Sequence, residues 1–231
     1  MKKITFVTAM LFSSLTLSAQ VQFNLNTGLA FPLGDYADTE GSNPDALGAT
    51  TGFFGSLGID VYLSEGIFLH VGGAVALNDL DQVAFTRATE DAFGGNYNVL
   101  ENTYEPVFLT AGPGFRIGSQ EWSVDLRPRV GAAHTGYDFI SARAWGANNI
   151  DYDANFGTGW GLAYGGDISI TRQLGNLGIG IQASYLTASI DRALSTSVRY
   201  PGELPDVTFE TFEYTPSIVT ASLSVTYKIG G

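Results

Sequence analysis

The 231-residue sequence contains no cysteine. That excludes disulfide scaffolds, thiolate nucleophiles, cysteine-ligated zinc and lipid attachment through cysteine. Charge is also scarce, at 15% of residues, and it is one-sided: 11 Lys+Arg stand against 23 Asp+Glu, a formal net charge of -12. An acidic chain with no basic stripe cannot neutralise a phosphate backbone, so nucleic acid is not an expected partner. Past the first twenty residues no apolar run approaches the roughly 18 residues of a transmembrane helix. What is abundant is glycine, 29 residues, together with 13% aromatics. Glycine costs roughly 1 kcal/mol per site inside a helix, so this composition favours short, repeated β-strands. With 45% hydrophobic residues the chain is too apolar for a disordered acidic tail and long enough for one domain with a core.

Residues 1–20 read as a secretory signal peptide. Lys2 and Lys3 form the charged start, Ile4 to Leu17 the apolar stretch, and Ser18-Ala19-Gln20 the cleavage zone. From Val21 onward the pattern has period two. Eight strands are expected, over about 21–32, 51–63, 67–78, 104–117, 122–133, 158–172, 177–190 and 214–229. In the fifth, Trp122, Val124, Leu126, Pro128 and Val130 share one face, and Ser123, Asp125, Arg127, Arg129 and Gly131 the other.

The connections discriminate further. Strands two and three join at Ser64-Glu65-Gly66, four and five around Gly118 to Glu121, and six and seven around Gln173 to Asn176. Every other connection is long, over 33–50, 79–103, 134–157 and 191–213. Strict alternation of short and long connections is the layout of an outer-membrane β-barrel, with short periplasmic turns and long extracellular loops. The expected fold is therefore all-β: an eight-stranded antiparallel up-and-down transmembrane barrel over 21–231, without helices. In lipid only a closed barrel leaves no strand edge unpaired. Phe23, Phe31, Trp122, Trp160 and Tyr227 suit the interfacial girdles. Alternation alone does not separate inside from outside. A soluble periplasmic ligand-binding barrel, with its apolar face inward, stays open beside the membrane reading.

The segment GLAFPLGDYAD, Gly28 to Asp38, opens the first long loop. With Pro32, Gly34, Asp35 and Tyr36 it resembles the start of the small outer-membrane β-barrel proteins of Bacteroidota, which are similar to the outer-membrane protein A and PorT-like barrels. The resemblance implies an integral outer-membrane protein and no single activity. Such barrels end on an aromatic residue that the assembly machinery reads; here the end is TYKIGG, which places Tyr227 four residues in. The expected partners are outer-membrane lipid, lipopolysaccharide and, during insertion, the barrel-assembly machinery, and the expected state is a monomer. Almost nothing follows the eighth strand, so a tethering domain of the peptidoglycan-binding kind is not expected.

The lumen face carries Asp60, His70, Arg116, Asp125, Arg127, Arg129, Asp167 and Lys228. Charges inside a narrow barrel are costly unless paired. The first reading is a structural ion-pair network that fills the lumen; the second is a gated path, opened when pairs break. His134, Asp138 and Ser141 lie close enough in sequence to suggest a catalytic triad, but no nucleophile motif accompanies them. No catalytic residue, metal site or cofactor is expected. Most acids lie in the long loops, among them Asp35, Asp38, Glu40, Asp45, Glu203, Asp206, Glu210 and Glu213, with four arginines, Arg87, Arg143, Arg192 and Arg199. Asp151 and Asp153 form the tightest acidic pair and a weak cation candidate. The expected role is structural or surface interaction through these loops. A narrow pore or secretion-associated barrel is the alternative.

Overall fold

The computed structural model describes residues 20–39, 48–93, 96–101, 103–119, 121–136, 138–145 and 150–230. The expected signal peptide, Gln20 apart, lies outside the described residues, as do Glu40 and Asp45 of the first loop.

Eight strands form the barrel: β1 (Val21–Pro32), β2 (Gly52–Ser64), β3 (Ile67–Leu77), β5 (Val107–Gly118), β6 (Trp122–Thr135), β9 (Gly159–Leu174), β10 (Leu177–Arg199) and β12 (Ser217–Ile229). Four further strands lie in the long connections: β4 (Asn96–Glu101), β7 (Asp138–Trp145), β8 (Asp151–Phe156) and β11 (Asp206–Tyr214). The eight pair in the order β12-β1-β2-β3-β5-β6-β9-β10, and β10 pairs β12 to close the ring. Every pairing is antiparallel. The short connections are tight turns. Between β9 and β10, Gly175 takes φ 69, the left-handed conformation that glycine adopts without a Cβ clash.

Orientation is decided by what faces outward. Leu57 is 66% exposed and Ile117 68%, whereas Gln22, Asp60 and Asp125 on the opposite face are fully buried. An apolar belt right around a protein has no solvent-compatible reading; in a bilayer it meets lipid while closure pairs the backbone. The chain is thus a transmembrane barrel of the outer-membrane type, and the inward apolar cavity of the soluble alternative is overturned. All five girdle candidates point outward. Arg172 lies over the Trp122 ring, 5.7 Å from its centroid, and His134 packs 4.6 Å from Trp160. No helix among the described residues is long and apolar enough to span a membrane.

The long connections depart from the expectation of plain loops and no helix. An α-helix, α1 (Gln82–Phe93), occupies the second. Asp81 caps its start, accepting the Ala84 N–H at 3.0 Å, and Phe85 packs on the core. Strand β4 follows it in the same connection, β7 and β8 lie in the third and β11 in the fourth, while the first carries a short 3-10 turn, Gly34–Tyr36. The added strands exist because β10 runs 23 residues and overshoots the ring. Its upper half pairs with β11 on one side and β8 on the other, β8 pairs β7, and β7 pairs β4. A five-stranded sheet, β11-β10-β8-β7-β4, thereby continues the barrel wall above the membrane.

Candidate functional site: the filled lumen

Seven of the eight expected lumen residues meet in one cluster toward the periplasmic half. Register brings them together: Gln22, Asp60 and His70 are cross-strand neighbours on β1, β2 and β3, as are Arg116 and Asp125 on β5 and β6, and Arg127 and Asp167 on β6 and β9. Arg127 is the hub. Its Nη2 donates to Asp125 Oδ2 at 2.8 Å and Asp60 Oδ2 at 3.1 Å, and its Nη1 to Asp167 Oδ1 at 2.8 Å and Ser169 Oγ at 3.0 Å. Arg116 grips Asp125 with two nitrogens, at 2.6 and 2.7 Å, and donates to Gln22 Oε1 at 3.0 Å. His70 Nδ1 stands 2.6 Å from Asp60 Oδ1. Arg129 Nε stands 3.1 Å from Asp167 Oδ2.

Three guanidiniums thus face three carboxylates. Aromatic faces complete the packing: Arg116 lies 4.9 Å over Tyr62 and Arg127 5.3 Å over Phe68. Phe68 has room because Gly114 faces it; a Cβ there would run into the ring. Lys228 stands across from Gln22 at the edge of this cluster, where Arg116 and Asp125 act on its charge. It is partly exposed near the periplasmic mouth and, among the described residues, pairs with no carboxylate.

A second closure lies at the extracellular end, and sequence reasoning missed it. Arg192 is buried. Its Nη1 stands 2.8 Å from Asp138 Oδ2, its Nε donates to the Gly157 carbonyl at 2.7 Å, and its Nη2 to those of Gly136 at 2.9 Å and Phe156 at 3.2 Å. The rings of Tyr214 and Phe156 face it with centroids at 5.0 and 5.4 Å. Tyr36 packs edge-on against Tyr104 and Tyr214, and its hydroxyl donates to Asn78 Oδ1 at 3.3 Å. Beneath this cap Phe54, Phe108, Leu186 and Ile218 fill the lumen, all fully buried. Burial pushes the Asp138 carboxyl above its ordinary value, while Arg192 beside it pulls the other way. Burial also raises the Tyr36 and Tyr214 hydroxyls well above the usual tyrosine value.

The sequence pattern puts Arg192 and Tyr36 in long loops; both are interior. A signal for Arg192 is present, since Ser184, Leu186, Ala188, Ile190 and Arg192 continue the inward set of β10 by strict alternation. The suggested triad is not assembled. His134 faces outward against Trp160, Asp138 is held by Arg192, and the Ser141 hydroxyl donates to Asp153 Oδ1 at 2.6 Å. Asp151 and Asp153 lie on β8, and among the described residues no group of three or more potential ligands is arranged to hold a metal ion.

No protein-family model and no curated protein sequence matches the chain. Among solved structures it is similar to a major outer membrane protein from Thermus thermophilus, with 12% identity over 91% of this chain and 99% of that chain and a TM-score of 0.47. It is similar to Ail, the attachment invasion locus protein of Yersinia pestis, with 14% identity over 92% and 100% and a TM-score of 0.44. Neisserial surface protein A gives 14% identity over 91% and 97% and a TM-score of 0.41. At these identities the fold rests on the chain's own closed ring and outward apolar belt.

Proposed function

We propose that this protein is a closed outer-membrane barrel whose work is done at the cell surface, by contact through the extracellular sheet. One observation carries the reading: the lumen is filled by the Arg127 cluster below and the Arg192 and tyrosine cap above, while a five-stranded sheet projects beyond the membrane. A rigid scaffold that holds exposed elements clear of the bilayer suits recognition.

The sheet offers a specific face. Among the described residues β11 pairs with β10 alone. Phe209, at 78% exposure, and Val207 stand out on it, and no Lys or Pro lies within Asp206–Tyr214 to blunt the edge. Glu203, Asp206, Glu210 and Glu213 make this hairpin acidic. A second copy docked edge to edge would bring like charges together, so the fitting partner is an extended segment that carries basic and apolar residues in alternation. The finer resemblance to Bacteroidota and PorT-like barrels is compatible with this role.

The test is a cell-surface binding assay with the chain displayed in an outer membrane. Replacing residues 196–210 by a two-residue turn should leave a heat-modifiable, folded barrel and abolish capture of a ten-residue alternating Lys/Val peptide. The charge-swapped variant Glu210→Lys/Glu213→Lys should weaken it at least tenfold. Unchanged capture by both variants would defeat the reading.

A further inference from the structure

One seam of the barrel wall is incomplete. Along β5 and β6 the cross-strand pairs run down to Ala111–Val130 and resume only at Phe115–Leu126. The positions between them, 112–114 opposite 127–129, form no ladder pair, whereas the ladders on either side, β3–β5 and β6–β9, run through the same residues without a break. The cause is in the sequence. Pro113 stands opposite Pro128, and neither has an N–H. A hydrogen-bonded pair of an antiparallel ladder exchanges two N–H···O bonds, and the loss of both takes the pair on each side with it. Proline inside a sheet is confined to edges and bulges, and a closed barrel has no edge to give it.

Side chains do little to bridge the gap. Pro113 and Pro128 both point outward and are exposed, so inside the barrel β5 presents only Gly112 and Gly114 there. On β6 the guanidiniums of Arg127 and Arg129 lie behind the gap, but their carboxylate partners do not stand on β5: Asp60 is on β2, Asp125 on β6 itself and Asp167 on β9. Among the described residues one ion pair crosses from β5 to β6, Arg116 with Asp125, just below the gap. Phe68, reaching from β3 over Gly114, covers the lower part of the gap from inside.

The carbonyls of Pro113 and Pro128 are thereby aimed across the seam with no ladder N–H to receive. An unpaired backbone group in hydrocarbon is costly, so this seam holds less tightly than an uninterrupted one. We propose that the β5–β6 seam is a lateral gate, the line at which this barrel parts toward the bilayer and exposes its lumen to the lipid phase. At rest the gate is shut, held by the Ala111–Val130 pair above, the Phe115–Leu126 pair below and the Arg116–Asp125 clasp. Parting here leaves Arg127 tied to β2 and β9 and Arg192 tied to Asp138, so lateral opening and axial closure are separate properties. The gate goes beyond the surface role and does not depend on it.

The chain has no cysteine, so an introduced thiol is unique. Thr110 and Thr226 are both buried on the lumen side and lie on one cross-strand row, Thr110 beside the gap and Thr226 on β12 between two unbroken seams. In vesicles, a membrane-dissolved maleimide should label Thr110→Cys about tenfold faster than Thr226→Cys, because the opening is local. Pro113→Val/Pro128→Val restores both N–H groups and should bring the Thr110→Cys rate down to that of Thr226→Cys. Equal labelling of the two variants would overturn the gate, and so would a Thr110→Cys rate that survives repair of the seam. Hydrogen exchange of the unsubstituted chain in vesicles is a second readout that needs no variant to fold. The amides of Ala111, Phe115, Leu126 and Val130, which border the gap, should exchange ahead of those along the unbroken β1–β2 seam. Equal exchange along both seams would overturn the proposal. Neither readout uses axial current or partner capture, so failure here is distinct from failure of the closed lumen or of the surface role.

Discussion

Arg127 touches Asp60, Asp125 and Asp167, so its removal leaves three buried carboxylates short of a partner. Breaking a buried pair by deleting one member costs about 3–5 kcal/mol. Arg127→Ala should therefore lower the unfolding free energy in detergent or vesicles by that order, measured by denaturant titration. It should also raise the leak of the barrel; an unchanged midpoint would show that the cluster is incidental to stability. At the cap, the tyrosines set a pH limit. Burial holds the Tyr36 hydroxyl above its unfolded value. A group whose folded value is raised contributes stability that is complete below the unfolded value, roughly 10 for tyrosine, and is lost as pH rises past it. The folded fraction, read from heat-modifiable gel mobility, should fall above about pH 10. Tyr36→Phe should make that fall shallower, because phenylalanine has no proton to lose; an identical alkaline profile would remove Tyr36 from the cause.

At the scale of elements, the eight ring strands were legible because each carries an apolar outer face and a polar inner one, punctuated by turns such as Leu174-Gly175-Asn176. The eight lumen candidates follow from the same parity, and seven of them meet in the ion-pair cluster. The added strands were not legible, for a physical reason. β11 is exposed on both faces over most of its length, so no inside imposes alternation on it. β7 and β8 exist only because β10 overshoots the ring and offers its edges, and that is a long-range fact. Helix α1 was hidden by its loop context, although Asp81 two residues before Val83 marks its cap. Arg192 was lost with the overshoot: with β10 ending near residue 190, its buried ion pair with Asp138 has no strand to stand on. Since the projecting hairpin lies outside the ring, its removal should not unfold the barrel.

The whole molecule is a sorting of surfaces by solvent. Apolar side chains face lipid, ion pairs and polar groups fill the lower lumen with Phe54, Phe108, Leu186 and Ile218 above them, and acids crowd the long connections. A charge on the outer belt tests that sorting. Leu57→Arg, on the lipid face, should cost about 2–4 kcal/mol if the position lies near the bilayer midplane. The measurement is the unfolding free energy of the refolded variant in vesicles, and a neutral result would mean that Leu57 meets water. The central claim, that this barrel is closed along its length, is tested most directly by planar-bilayer recording of the refolded full chain, with insertion verified by heat-modifiable mobility of the same sample. A closed lumen gives a flat baseline, with current steps only after Arg127 or Arg192 is substituted. Steady, uniform channel openings from the unsubstituted chain would contradict it and make the protein a pore.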